Sequence, residues 1–293
     1  MRLPRLVLMS RITARRRVTR LTTGEASTTS EDLLAVEEPL EIKVGGKSLA
    51  ITMRTPGNDI DLAAGFLVSE GVITKKEEFA GAKYCARTTP DGVNTFNVLD
   101  VTLAPWVAAL DLSLERAFYT TSSCGLCGKA SIDAVRTKSA FSIHSDPLLI
   151  DAALLASFPD RLRAEQAVFD KTGGLHAAGL FDAVSGELLV LREDVGRHNA
   201  VDKVVGWALK EGRLPLRGTV LMVSGRSSFE LTQKASMAGI PFLASVSAPS
   251  SLAANLASDA GMTLVGFLRG NSMVIYTGEG RVVNGSPVPV EER

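Results

Sequence analysis

The stretch GTVLMVSGRSSFELTQKASMAGIPFLASV, residues 218–246, contains two apolar runs on either side of a segment with the length and spacing of a helix. GTVLMVS and IPFLASV carry no charged residue, which is typical of strands that are buried on both faces. A strand, a helix and a second strand in this order predict a parallel or mixed sheet with helices on its faces. Ligands of such sheets bind at the carboxyl ends of the strands.

The same alternation continues on both sides of this stretch, so that residues 128–285 are predicted to form a larger α/β domain. The further elements predicted in it are strands over 175–182, 187–194, 263–269 and 272–278, and helices over 129–138, 147–158, 160–172, 196–212 and 250–261.

Residues 36–119 have a different pattern and are predicted to form a small α+β domain. Gly45-Gly46 indicates a tight hairpin turn, and Pro90-Asp91-Gly92 indicates a second one. A helix is predicted over 56–71, with Asn58 or Asp59 as its cap.

The first twenty residues contain seven arginines and no acidic residue, and a Ser/Thr-rich connector follows them. Their apolar run is too short for a secretory signal. We therefore expect residues 1–35 to be a disordered basic leader and connector.

Composition excludes several classes of function. The formal net charge is zero, which argues against nucleic acid as a partner. No run reaches the roughly 20 apolar residues of a membrane span, so we expect no membrane partner. Three cysteines form no disulfide framework and fit a reducing compartment, so we expect a cytoplasmic protein.

Two of the three cysteines, Cys124 and Cys127, lie in TTSSCGLCGKASID, residues 120–133. The adjacent glycines and hydroxyl residues predict a mobile loop over 120–127 rather than two buried apolar side chains. Neither a second CxxC nor a histidine cluster is present to complete a structural zinc site, so we expect no tightly held metal.

A zinc deaminase is excluded as well, because its H-x-E and P-C-x-x-C signature is missing. Ala178 stands where the glutamate after His176 should be, Ser123 replaces the proline, and the CxxC precedes the histidine. What remains is thiol chemistry, either disulfide exchange or transfer of sulfur through a persulfide. The start of a helix near Gly128 favours Cys127 as the thiolate, by less than one pKa unit.

Polar residues that follow predicted strands are the candidates for ligand binding. Arg197 and His198 open a helix after a strand, and the turn before them resembles an anion cradle. Equally, Asp194 could be a simple N-cap with Arg197 and Asp202 on a solvated face. Ordinary alternatives also exist for His176, which could be a core residue, and for the turn near Gly270. The candidates from these stretches are His176, Arg197, His198, Gly225, Arg226, Ser227, Arg269, Gly270 and Asn271.

Five stretches together, TSSCGLCG, GGLHAAGLFD, REDVGRHNAVDK, VSGRSSFELTQKA and GFLRGNS, resemble the formate dehydrogenase accessory sulfurtransferases of the FdhD/NarQ family. The resemblance runs from about residue 36 to about residue 280. It implies a cytidine-deaminase-like, three-layer α/β/α larger domain beside the small N-terminal domain.

The resemblance also implies a function. Such a protein takes sulfur from a cysteine desulfurase and transfers it to the molybdenum cofactor, in its bis-guanine-dinucleotide form, before that cofactor enters formate dehydrogenase. The persulfide-bearing cysteine matches Cys124, with Cys127 as its partner, and a homodimer is expected. The cofactor-binding stretch of the family matches Phe267, Leu268, Arg269, Gly270, Asn271 and Ser272. A cofactor-binding chaperone and a thiol-disulfide oxidoreductase stay open as alternatives.

Overall fold

The computed structural model describes residues 12–86, 95–107 and 139–285. The helices are α1 Asp59–Ser69, α2 Ala152–Ala164, α3 Phe169–Thr172, α4 Arg197–Lys210, α5 Phe229–Met237 and α6 Ser251–Ala260. The strands are β1 Thr13–Arg20, β2 Thr28–Ala35, β3 Glu38–Val44, β4 Lys47–Arg54, β5 Phe79–Tyr84, β6 Val98–Leu103, β7 Ile150–Asp151, β8 His176–Asp182, β9 Leu188–Asp194, β10 Thr219–Val223, β11 Phe242–Ser245, β12 Thr263–Arg269, β13 Ser272–Thr277 and β14 Val282–Val283.

The largest sheet of the described residues has the strand order β13-β12-β11-β10-β8-β9. Strands β10, β11 and β12 are parallel, whereas β8 is antiparallel to both of its neighbours and β13 is antiparallel to β12. The mixed sheet predicted from residues 218–246 is therefore confirmed, with α5 connecting β10 to β11.

Alternate residues of the central strands face two separate cores. Leu221 and Leu243 pack in the core that contains residues of α4, α5 and α6, whereas Met222 and Phe242 pack against Phe158 and other residues of α2. Helices therefore cover both faces of the sheet, and the predicted three-layer α/β/α class is confirmed.

The N-terminal region contributes a second sheet with the order β4-β3-β6-β5. Gly45 and Gly46 form the predicted turn between β3 and β4, with φ values of 58° and 83° that glycine adopts readily. The turn predicted at residues 90–92 lies outside the described residues. Helix α1 begins as predicted after Asn58, but no side-chain hydrogen bond caps it.

Residues 13–35 form an antiparallel hairpin, so the prediction of a disordered leader is wrong for this part, while residues 1–11 lie outside the described residues. The basic strand β1 faces acidic residues of β2, and ion pairs join Arg15 to Glu31 (3.2 Å) and Arg20 to Asp32 (3.5 Å). Opposite charges on the two strands favour this pairing.

Residues 147–172 also differ from prediction. Ile150–Asp151 forms the short strand β7, and α2 begins at Ala152, where the Asp151 carboxylate accepts hydrogen bonds from the Ala153 and Leu154 backbone. The helix predicted over 160–172 is divided between the end of α2 and the short α3. Among the described residues, no helix is long and apolar enough to cross a membrane.

The two regions meet where α1 crosses α4. A Cβ atom added to Gly65 would lie 1.8 Å from the Asp202 carbonyl oxygen, and one added to Gly206 would lie 1.8 Å from the Asp61 carbonyl oxygen. Only glycine allows two helix backbones to approach this closely. Apolar residues of α1, α4 and both sheets then form one continuous core.

Replacing either glycine should separate the two helices, because a methyl group there meets backbone that belongs to a packed helix. We expect Gly65→Ala to lower the free energy of unfolding by about 3 kcal/mol or more. Urea denaturation followed by circular dichroism measures this change. Gly280→Ala is the control, because nothing lies within 4 Å of its added Cβ. A Gly65→Ala protein as stable as the wild type would contradict the close crossing.

Candidate functional site

The predicted binding stretches meet at one edge of the central sheet. Strands β10, β11 and β12 are parallel and end at this edge, while the antiparallel β8 begins there. Because His176 pairs with Asp194, the end of β9 and the start of α4 lie at the same edge. The structure thus brings His176, Arg197 and the loop over 224–228 together.

Contacts between these groups are direct. The Ala177 backbone donates a hydrogen bond to Ser224 Oγ (2.8 Å), and the Ser224 backbone donates one to the Ala177 carbonyl (3.0 Å). A Cβ atom on Gly225 would lie 3.4 Å from His176 Nδ1 and 3.9 Å from Arg197 Cδ. Gly225 therefore lies against both side chains, while Arg226 beside it is exposed.

Arg197 is half-buried and has neither a hydrogen bond nor an ion pair among the described residues, although its Nε atom is buried. Other inward-facing cations are paired. Arg54 bonds to Asp59 (3.0 Å), and Lys203 bonds to Asp194 (2.6 Å). An unpaired, partly buried guanidinium is costly unless an anion meets it.

Asp194 does not neutralise Arg197, because other donors already occupy its two oxygens. Beside Lys203, they are Asn199 Nδ2 (3.0 Å) and the backbone N–H groups of Gly196 (2.8 Å) and Thr55 (3.2 Å). Asn199 also donates to the Met53 carbonyl (2.7 Å). Several residues of the stretch over 192–203 therefore attach α4 to the end of β4.

The alternative that placed Asp202 on a solvated face is wrong. Asp202 is only 2% exposed and accepts hydrogen bonds from Ser69 Oγ (2.7 Å) and Lys234 Nζ (2.8 Å). Its burial raises the pKa of the carboxyl group, and the Lys234 charge opposes this rise.

His198 lies between the starts of α4 and α5. Its Nε2 atom is 3.4 Å from Ser228 Oγ and 3.9 Å from a Glu230 carboxylate oxygen. His198 therefore connects two helices at this edge, in contrast to Arg197, which has no partner among the described residues.

Two of the helices begin at this edge without a side-chain cap, namely α4 after Gly196 and α5 after Ser228. Helix α6 begins with a cap, because Ser250 Oγ accepts a hydrogen bond from the Ala253 backbone (3.2 Å). Next to the α5 start, Ser227 is fully buried, and its hydroxyl has no hydrogen-bond partner in the part of the chain that the structure describes. Uncapped N–H groups, a hydroxyl and a guanidinium are all donors to an anion.

The stretch from Phe267 to Ser272 lies along the same edge, on a strand two positions from β10 and hence about 10 Å away. Phe267 has φ of 50°, a conformation that is strained for a non-glycine residue. The Arg269 guanidinium lies 5.5 Å from the centre of the Phe267 ring.

The other residues of this stretch differ in their exposure to solvent. Leu268 is fully buried in the core beneath α2, so it does not line the surface of the edge. Gly270 and Asn271 form the turn between β12 and β13, with a φ of 52° at Gly270. Arg269, Gly270, Asn271 and Ser272 are exposed.

Residues 246–250 were not predicted from the sequence to belong to the site. They connect the loop over 224–228 to the stretch from Phe267 to Ser272. The Ser247 carbonyl accepts a hydrogen bond from the Phe267 backbone (3.2 Å), and Pro249 forms a bridge with Ser227. A signal was present, because V-S-x-x-S-S occurs at 223–228 and again at 246–251.

Cys124 and Cys127 lie outside the described residues. Cys85 is described and is a free, half-buried thiol. Among the described ranges, no group of three His, Cys, Asp or Glu side chains could hold a metal ion.

His176 has an altered proton affinity. Burial lowers the pKa of its imidazole, the nearby Arg197 charge lowers it further, and Asp194 opposes both effects. The ring is therefore neutral at pH 7 and can donate or accept a hydrogen bond. Because the unfolded chain binds this proton more readily, His176 costs stability as the pH falls through about 6.5.

Comparison with known proteins places these residues in a family. The model of the FdhD/NarQ family matches residues 35–283. The chain is 63% identical to the sulfur carrier protein FdhD of Streptomyces avermitilis, over 94% of this chain and 97% of the relative. It is 60% identical to the sulfur carrier protein FdhD of Mycolicibacterium paratuberculosis, over 92% of this chain and 99% of the relative.

A solved structure has the same fold. It is the crystal structure of a formate dehydrogenase accessory protein from Desulfotalea psychrophila, with a TM-score of 0.71 and 24% identity. The match covers 93% of this chain and 100% of the solved chain.

The pKa of His176 can be measured by NMR titration of the imidazole protons, with the signal assigned from the spectrum of His176→Gln. We expect a midpoint below 6.5, and a higher midpoint in Arg197→Gln because a neighbouring positive charge is removed. Arg217→Gln, which removes an exposed charge before β10, should leave the midpoint unchanged. An unshifted wild-type midpoint, or one that Arg197→Gln does not raise, would contradict the described surroundings.

Proposed function

Since the chain belongs to the FdhD/NarQ family, we propose that it is a sulfur carrier required for formate dehydrogenase activity. The observation that carries this proposal is the 63% identity, over nearly the whole of both chains, to a sulfur carrier protein FdhD. Convergence of four of the five family-like stretches, all four of them among the described residues, on one edge of the sheet supports it, because one surface then holds the groups that would bind a cofactor.

In the proposed reaction, Cys124 thiolate attacks the outer sulfur of a persulfide on a cysteine desulfurase. A new S–S bond forms on Cys124, the S–S bond of the desulfurase breaks, and the desulfurase cysteine leaves as a thiolate. Cys124 then carries the sulfur as a persulfide. A cysteine is suited to this step because its thiolate is both a strong nucleophile and a good leaving group.

Release of the sulfur is the proposed role of Cys127. Its thiolate attacks the inner sulfur of the Cys124 persulfide, a Cys124–Cys127 disulfide forms, and the outer sulfur leaves as hydrosulfide with the bonding electron pair. A cellular dithiol then reduces the disulfide and restores both thiols. The hydrosulfide becomes a ligand of the molybdenum cofactor, which is the acceptor substrate.

The acceptor in this proposal is the bis-guanine-dinucleotide form of the molybdenum cofactor. Its nucleotide ends would contact two parts of the sheet edge. One part is the stretch from Phe267 to Ser272, and the other comprises His176, Arg197, His198, Gly225, Arg226 and Ser227. Donor groups at this edge that have no partner among the described residues support binding of an anionic ligand.

The remaining parts of the proposal concern partners and place. A cysteine desulfurase donates the sulfur, a formate dehydrogenase receives the cofactor, and the protein acts in the cytoplasm as a homodimer. Two other functions would use the same surface differently. A chaperone would bind the cofactor without moving sulfur, and a thiol-disulfide oxidoreductase would cycle Cys124 and Cys127 without nucleotide affinity.

Substitution of Cys124 tests the sulfur step. We expect Cys124→Ala to abolish activation of formate dehydrogenase, and to remove the additional sulfur mass that desulfurase and cysteine place on the wild type. Both losses follow because the persulfide would have no attachment site. Intact-protein mass spectrometry and an activity assay measure them.

Cys85→Ser is the matched control, because Cys85 lies outside the proposed pair. This variant should still activate formate dehydrogenase and should still gain the sulfur mass. Cys127→Ala should still accept sulfur but should release it slowly. Activation that persists in Cys124→Ala favours the chaperone. A reversible disulfide without persulfide or nucleotide binding favours the oxidoreductase.

A further inference from the structure

We propose that β1, the outer strand of the N-terminal hairpin, is a docking edge for an acidic, extended segment of a partner protein, which pairs with β1 as a third strand. The inference goes beyond the proposed function, because it involves neither the two thiols nor the cofactor-binding edge. Nearly all of the hairpin also precedes residues 35–283, the part of the chain that matches the family model.

The hairpin is attached to the rest of the protein on the side of β2. Helix α3 contacts β2, and a Cβ atom added to Gly174 would lie 3.7 Å from the Ala35 Cβ atom. Six of the eight residues of β1 are exposed, against four of the eight in β2. Strand β1 is therefore the solvent side of a two-stranded ribbon.

Strand β1 also has a free edge. It pairs with β2 along its whole length, from Thr13 opposite Ala35 to Arg20 opposite Thr28, and no other strand among the described residues pairs with it. In an antiparallel pair, alternate backbone N–H and C=O groups point away from the partner strand. An edge of eight residues can therefore accept a further strand through main-chain hydrogen bonds.

The charges of the ribbon are unbalanced in favour of β1. Four arginines lie on β1 and two acidic residues lie on β2, namely Arg15, Arg16, Arg17 and Arg20, and Glu31 and Asp32. The two acidic residues form their ion pairs with Arg15 and Arg20. Arg16 and Arg17 are exposed and have no ion pair in the described ranges. Because successive side chains of a strand point to opposite faces, each face of the ribbon carries an unpaired positive charge.

This charge selects an acidic segment over a second copy of the chain. Two β1 strands paired edge to edge would set arginines against arginines, and like charges on facing strands are destabilising. An incoming strand with two adjacent acidic residues would instead place one carboxylate on each face, as Glu31 and Asp32 do on β2. The sequence TTSEDLLA of β2, residues 28–35, therefore has the chemistry expected of the partner segment.

A fluorescently labelled peptide with the sequence of residues 28–35 tests the charge requirement, with its binding to the full chain followed by anisotropy at low ionic strength. We expect the affinity to fall about fivefold or more when glutamine and asparagine replace the two acidic residues of the peptide, and equally in the Arg16→Gln/Arg17→Gln chain. Added salt should weaken binding. The control chain, Lys47→Gln/Arg217→Gln, loses two exposed charges elsewhere and should change the affinity by less than about twofold.

Two N-methylated peptides test strand pairing. Methylation at every second residue removes the N–H donors from one edge of the peptide, and methylation at the intervening residues removes them from the other edge. We expect one of these peptides to bind about tenfold or more weakly, and the other to lose less than about threefold, because a single edge of the peptide faces β1. Equal affinities of the two would indicate attraction between charges without strand pairing and would overturn the proposal.

Other results would overturn the proposal as well. One is an unchanged peptide affinity in the Arg16→Gln/Arg17→Gln chain. A second is tighter binding of a DNA duplex than of the peptide, which would make the hairpin a nucleic-acid contact. A third is the loss of NMR contacts between β1 and β2 on binding, which would mean that the peptide replaces β2. The Arg16→Lys/Arg17→Lys chain keeps both charges and should bind like the wild type, so it separates a loss of charge from a loss of folding.

Discussion

Helices α1 and α4 approach so closely at Gly65 and Gly206 that neither position has room for a methyl group. This contact joins the N-terminal region to the central sheet and fixes α4 against both. Buried charges on the two helices accompany it. Asp61 of α1 bonds to Arg192 (2.9 Å) and Lys210 (2.6 Å), whereas Asp202 of α4 bonds to Ser69 and Lys234. Each of these carboxylates would be costly to bury without its partners.

The position of α4 determines what lies at the carboxyl edge of the sheet. Arg197 is the first residue of this helix, and the residues around it are committed to holding the end of β4. Lys203 and Asn199 bond to Asp194, so that this carboxylate does not pair with the neighbouring Arg197 guanidinium. The same packing therefore stabilises the interior and leaves the Arg197 guanidinium at the carboxyl edge without a partner among the described residues.

The sequence could predict the layers because apolar runs and helical spacing reflect burial directly. The two apolar runs within residues 218–246 predict parallel strands. The polar residues after those strands predict that the site lies at their carboxyl edge. The sequence could not predict which polar side chains are buried against other parts of the chain. Asn199 and Lys203 bond to Met53 and Thr55, which lie more than 140 residues earlier in the chain, so no local pattern reveals the contact. Similarly, the arginines of β1 were predicted to be disordered because their acidic partners lie on the facing strand β2 and not beside them in the sequence.

Position of the phosphates in a crystal structure of the chain with GDP is the most direct test of this arrangement. We expect them within hydrogen-bond distance of Arg197 and of the backbone N–H groups at the start of α5. Phosphates bound elsewhere, with the Arg197 guanidinium facing solvent, would contradict it.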